Sequence, residues 1–138
     1  MIKLLLEVIT PTKVVLSEEA DQITVTTTNG EITILPGHVD LFTKLVPTEM
    51  IIRNGNKTDY FAITGGFLEV TKNHVNILAD YAVRAQDIEV AKVREAQERA
   101  EKAMKEKQEN KEFIVAEAEL RKALLELKVA TKRKHRTQ

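Results

Sequence analysis

The chain has 138 residues, 43% of them apolar, with 21 basic and 21 acidic side chains and no net charge. That is enough apolar material for one ordinary domain, or a small domain with an appendage, and the charge balance lacks the basic excess of a dedicated nucleic-acid binder. With no cysteine, disulfides, thiolate catalysis and cysteine-ligated zinc are excluded. No apolar run reaches the roughly 20 residues of a membrane-spanning helix. Glu7 interrupts the run Leu4-Leu5-Leu6 before it reaches the length of a secretory signal.

Residues 1–85 read as strands. Gln22-Ile23-Thr24-Val25-Thr26-Thr27-Thr28 alternates and is largely β-branched. Asn29-Gly30 follows as a hairpin signal in which both turn positions are expected at positive φ, and Glu31-Ile32-Thr33-Ile34 alternates again. Asn54-Gly55, Gly65-Gly66 and Lys72-Asn73 read as further turns. They separate Met50-Ile51-Ile52, Tyr60-Phe61-Ala62-Ile63, Phe67-Leu68-Glu69-Val70 and Val75-Asn76-Ile77-Leu78. About ten short strands at this spacing predict an N-terminal antiparallel β-sandwich, or flattened barrel.

Composition changes near residue 85. All five glycines and all three prolines lie before it, and the net charge passes from −3 in the first part to +3 in the second. Residues 86–138 are rich in Ala, Glu, Lys, Arg and Leu and predict a C-terminal antiparallel two-helix hairpin. Asp87 is the expected N-cap, with Glu89 in the first turn. The first apolar stripe is Val93, Ala96, Ala100, Ala103 and Lys107. After the polar break Gln108-Glu109-Asn110-Lys111, where Asn110 could cap, the second is Phe113, Ala116, Leu120, Ala123, Leu127 and Ala130. These seams are rich in alanine. They permit close approach but bury little area, so each helix of about 20 residues is expected to hold its place weakly.

No catalytic constellation emerges. His38, His74 and His135 are far apart and have no second ligand at metal-binding spacing, and His74 reads as a turn residue. Ser17 is the lone serine and lies outside any nucleophile motif. The glycines match neither phosphate-binding fingerprint. Acids on the helices alternate with bases as solvated pairs. The end of the chain carries Lys128, Lys132, Arg133, Lys134 and Arg136 without an acid. This segment reads either as a solvated helix end or as a contact for an acidic partner, nucleic acid or anionic membrane.

Three stretches are more specific: Gly30-Glu31-Ile32-Thr33-Ile34-Leu35-Pro36-Gly37-His38, Gly65-Gly66-Phe67-Leu68-Glu69-Val70, and Val75-Asn76-Ile77-Leu78-Ala79-Asp80. With the alanine-rich hairpin after them, their order and spacing closely resemble the epsilon subunit of bacterial F-type ATP synthase. The resemblance covers essentially the whole chain. It implies a non-catalytic rotor subunit, peripheral at the cytoplasmic face of the bacterial inner membrane and touching the membrane only indirectly. Its sandwich would sit on the gamma subunit beside the c-ring and help couple ion flow to ATP synthesis. Its helices would fold against the sandwich or extend to the catalytic alpha/beta head and block ATP hydrolysis. Glu31, Pro36, Gly37 and His38 are then interface residues. The basic strip Lys128, Lys132, Arg133, Lys134 and Arg136 is the inhibitory contact.

Some members hold ATP between the helices with Ile or Leu, Asp, two variable residues, Arg and Ala, plus two arginines on the second helix. Here the first pattern reads Ile88-Glu89-Val90-Ala91-Lys92-Val93, and Lys122 and Glu126 align with the two arginines. Lysine lacks the planar fork of arginine, and Glu126 reverses a charge that would face phosphate. The resemblance therefore implies no cofactor, and ATP binding that is weak or absent. The competing expectation is a free-standing sandwich module that binds a small ligand or protein and uses its basic tail on nucleic acid.

Overall fold

The computed structural model describes residues 2–106 and 110–136, with the side chains of 110, 111 and 132–136 outside that description. It forms two compact units, Met1–Arg84 and Ala85–Gln138. The first holds ten strands: β1 (Leu4–Ile9), β2 (Val14–Ala20), β3 (Gln22–Thr27), β4 (Gly30–Ile34), β5 (Leu41–Leu45), β6 (Thr48–Asn54), β7 (Lys57–Ile63), β8 (Gly66–Thr71), β9 (His74–Ala79) and β10 (Ala82–Arg84). They make one sheet in the order β10-β7-β6-β3-β5-β8-β9-β1-β2, with β4 on β3. The sheet bends over on itself, so that the end of β2 meets β6: Asp21 N donates to the Arg53 carbonyl at 2.8 Å, and Asn54 Nδ2 to the Glu19 carbonyl at 3.1 Å. This is the expected sandwich, or flattened barrel.

Alternation along the strands fills its core. Leu4, Leu6 and Val8 of β1, Ile23 and Val25 of β3, Met50 and Ile52 of β6, Leu68 and Val70 of β8, and Val75 and Ile77 of β9 are all buried, with Phe61 among the largest. One pairing departs from a purely antiparallel sandwich: β1 runs parallel to β9, Val8 opposite Ile77. Such a pair needs a long crossover, here the whole of β2–β8, and no local signal specifies it.

Two turns differ from the sequence expectation. The β3–β4 loop is Thr28-Asn29, and only Gly30 has positive φ (115°). The buried Thr27 hydroxyl holds this loop, accepting from Asn29 N and donating to the Gly30 carbonyl. Gly65-Gly66 is not a simple turn either, since Gly66 already pairs in β8 with Leu45 and Ala79. By contrast Lys72-Asn73 is a tight two-residue turn with both φ values positive (46° and 66°).

The second unit begins with a 3₁₀ turn, Ala85–Asp87, followed by α1 (Val90–Glu106) and α2 (Asn110–Arg136). Asp87 is spent in that turn, so it does not cap α1. Val93 N donates to the Glu89 carbonyl at 3.0 Å, which makes Glu89 the cap position. The helices are unequal, at 17 and 27 residues. Ala100 is buried on α1, and Val93, Ala96 and Ala103 are half-buried, as expected. Lys107, and Asn110 as a cap, fall outside the described side chains. On α2 the expected stripe is buried at Ala116 and Ala123 and half-buried at Phe113, Leu120, Leu127 and Ala130, and Glu126 and Val129 are buried in addition. α2 packs against the 3₁₀ turn as well as against α1.

Candidate interaction face

Leu35-Pro36-Gly37-His38 is a type II turn, with His38 N donating to the Leu35 carbonyl at 3.1 Å and Gly37 at φ 85°. Proline presets the second position, and glycine accepts the positive φ of the third. Gly37 N also donates to Asn73 Oδ1 at 2.7 Å, which ties this turn to the β8–β9 turn. Pro36 and His38 are half-buried, and His38 Nδ1 lies 2.7 Å from the Val39 carbonyl. The exposed groups are its apolar flanks, Leu35 at 51% and Val39 at 76%. Glu31 is exposed at the other end of β4, opposite Thr26. Five residues of extended chain, about 17 Å, separate it from Pro36. The structure therefore groups Pro36, Gly37 and His38 and leaves Glu31 apart from them.

A larger feature lies on the outward face of β1, β9, β8 and β5. Strand register sets two cross-strand rows there. One is Ile9, Leu78, Phe67 and Lys44; the next is Glu7, Asn76, Glu69 and Phe42. Phe42 and Phe67 sit diagonally and stack, with centroids 5.8 Å apart and planes at 14°. They nonetheless remain 64% and 44% exposed, and Leu78 is 50% exposed. Glu7, Ile9, Phe42, Phe67, Glu69, Asn76 and Leu78 line a shallow depression of about 280 Å³. Asn76 donates to Glu69 Oε1 at 3.3 Å. This is a contiguous aromatic and aliphatic surface with an acidic rim, a form that marks protein contact. Periodicity toward the core did not reveal it, but the sequence held a signal. Val8-Ile9, Leu41-Phe42, Phe67-Leu68 and Ile77-Leu78 each put two apolar residues side by side in a strand, so one of each pair must face outward.

In the helical unit, Ile88 is buried, while Glu89 and Lys92 are exposed and paired with each other at 2.9 Å. That pairing is the main cause holding the Lys92 pKa above its ordinary value. Lys122 is half-buried, and Glu126 is 7% exposed. Lys128 is exposed on α2; the side chains of Lys132, Arg133, Lys134 and Arg136 lie outside the described residues. Among the described residues no helix is long and apolar enough to cross a membrane, and no acid or histidine cluster could hold a metal.

Residues 3–85 match the family "ATP synthase, Delta/Epsilon chain, beta-sandwich domain", and residues 86–131 match its "long alpha-helix domain". The ATP synthase epsilon chain of Herpetosiphon aurantiacus is 42% identical, over 95% of this chain and 96% of that protein. That of Dehalococcoides mccartyi is 40% identical, over 100% and 99%. A chain of the Euglena gracilis mitochondrial ATP synthase OSCP/F1/c-ring structure superposes with a TM-score of 0.73 at 27% identity, covering 86% of this chain and 75% of that one. With both halves matched and relatives alike over nearly their whole length, the chain belongs to the delta/epsilon chain family of ATP synthases.

Proposed function

We propose that the chain is a non-catalytic central-stalk subunit of a rotary ATP synthase. In this reading the sandwich seats on the gamma subunit and the c-ring, and the helices inhibit ATP hydrolysis when they reach the alpha/beta head. The observation that supports it most is the outward Phe42, Phe67, Leu78 and Ile9 surface, which a subunit working alone would not keep wet. The Pro36-Gly37-His38 turn, with exposed Leu35 and Val39, offers a second contact at the β8–β9 end and suits the c-ring side. The subunit would help couple ion translocation to synthesis from the cytoplasmic face of the inner membrane, held there by its partners. Family membership displaces the free-standing binding module.

Inhibition is assigned to the basic strip. Replacing Lys128, Lys132, Arg133, Lys134 and Arg136 together with alanine removes five charges from one end of α2. Each exposed pair contributes only a few tenths of a kcal/mol, so the strip as a whole holds by about 1–2 kcal/mol. ATP hydrolysis by the reconstituted complex should rise several-fold, and its dependence on salt should weaken. Unchanged hydrolysis with the fully substituted subunit in place would overturn this assignment.

ATP itself should bind this chain weakly or not at all. Glu89 and Lys92 are engaged with each other on the surface, and Glu126 places a carboxylate where the family pattern has an arginine. Isothermal titration of the full chain with ATP tests this. A dissociation constant in the low micromolar range would refute it.

A further inference from the structure

The outward face of β1, β9 and β8 sets two unlike rows side by side. Ile9, Leu78 and Phe67 form the apolar row; Glu7, Asn76 and Glu69 form the polar one, and each of its members can accept a hydrogen bond. Asn76 donates to Glu69 Oε1 at 3.3 Å, which occupies one oxygen of that carboxylate. Among the described residues, the other Glu69 oxygen, both Glu7 oxygens and Asn76 Oδ1 have no hydrogen-bond partner, and neither acid has a base within ion-pair distance. The two acids are not equivalent. Glu69 has Lys44 diagonally across from it on β5, which partly offsets its charge. Glu7 has only the uncharged Ser17 and Asn76 directly opposite. Lys44 is three strands away from it, about 14 Å, which is beyond the screening length of about 8 Å at physiological salt. Glu7 is therefore the uncompensated charge of the face.

A partner that closes over this face takes water from those acceptors, and an acid left unpaired there would oppose docking. Lysine and arginine remove that cost, because their apolar stems can lie on Leu78, one step along β9 from Asn76, while the charged head reaches the acceptor row. The depression itself is shallow, about 280 Å³. That is short of the roughly 300–1,000 Å³ of clefts that bury a small molecule, and it suits side chains of a protein. We propose that Glu7 selects the segment that seats here: one that carries a basic side chain next to an apolar one, the base meeting Glu7 over Asn76 and the apolar group lying between Leu78 and Phe67. This rests on the seating proposed above, so the segment belongs to the gamma subunit.

Binding of the full chain to the gamma subunit, measured across a range of salt, tests this. Glu7→Gln keeps the shape and removes the charge. It should weaken binding about tenfold and flatten the salt dependence. Glu7→Lys sets like charges together and should weaken binding about 100-fold or more. Neither change touches the core side of β1, which Leu6 and Val8 fill, so both variants should unfold at the wild-type temperature. Binding by Glu7→Gln and Glu7→Lys that matches wild type in strength and salt dependence overturns the proposal, as does tighter binding by Glu7→Lys. Phe67→Glu separates this failure from that of the seating itself: if it still weakens binding, the seat stands and only the role of Glu7 is lost; if it also binds as wild type, the seat is wrong.

Discussion

Gly66→Ala should destabilise the sandwich by about 3 kcal/mol, lowering its Tm by roughly 12–24 °C. Gly66 has φ 137°, and a β-carbon there would sit 2.0 Å from the Leu78 carbonyl oxygen and 2.9 Å from the Ala79 α-carbon. Both obstacles are backbone of β9, hydrogen-bonded on its other side to β1, so neither can turn aside as a side chain would. Gly37→Ala is the matched control. Its φ of 85° is also strained for alanine, but nothing lies within 4 Å of the added carbon. It should therefore lose only the conformational part, about 1 kcal/mol. Thermal unfolding followed by circular dichroism separates the two. Equal shifts for both variants would mean that backbone conformation, not the approach of β9 to β8, makes glycine necessary at residue 66.

The same glycine shows where sequence reading stops. Hairpins between neighbours in the chain were legible, because alternation and turn residues are local: β3–β4 forms where Thr26 and Glu31 can face each other, and Pro36-Gly37 turns as its residue types require. Gly65-Gly66 looked equally local and was not. Its need for glycine comes from Leu78, 12 residues away across a sheet whose register is set by pairing rather than by turn chemistry. The parallel match of Val8 with Ile77 is further from any local signal. The helical unit shows a milder form of the same limit. The 3.6-residue period places Ala116 and Ala123 in the seam and Leu127 and Ala130 at its half-buried edge, yet it does not pick out the buried Glu126 and Val129. The interaction face follows the same logic. Four pairs of adjacent apolar residues were visible, but that Ile9, Leu78, Phe67 and Phe42 share one patch depends on the order β1-β9-β8-β5.

On the seating proposed above, Phe67→Glu should weaken binding of the chain to the gamma subunit by about 30-fold or more, the loss of a central aromatic anchor. Phe67 is at the middle of the patch: it pairs across strands with Leu78 and Lys44 and stacks on Phe42. A carboxylate there would have to be desolvated when a partner closes over the depression, with Lys44 opposite it and Glu69 beside it offsetting each other, so burial of the charge is what opposes docking. The same change should leave the fold intact, because the side chain is 44% exposed and the core side of β8 is filled by Leu68 and Val70. Lys57→Glu, an exposed charge reversal on β7, controls for charge alone and should bind as wild type does. Phe42→Ala should fall between them, since it removes the stacked ring but adds no charge; its 64% exposure makes it the side chain with the most area to bury on contact. If Phe67→Glu binds gamma as tightly as wild type while Lys57→Glu does not, the docking face lies on the β7 side of the sandwich and the aromatic patch serves another partner.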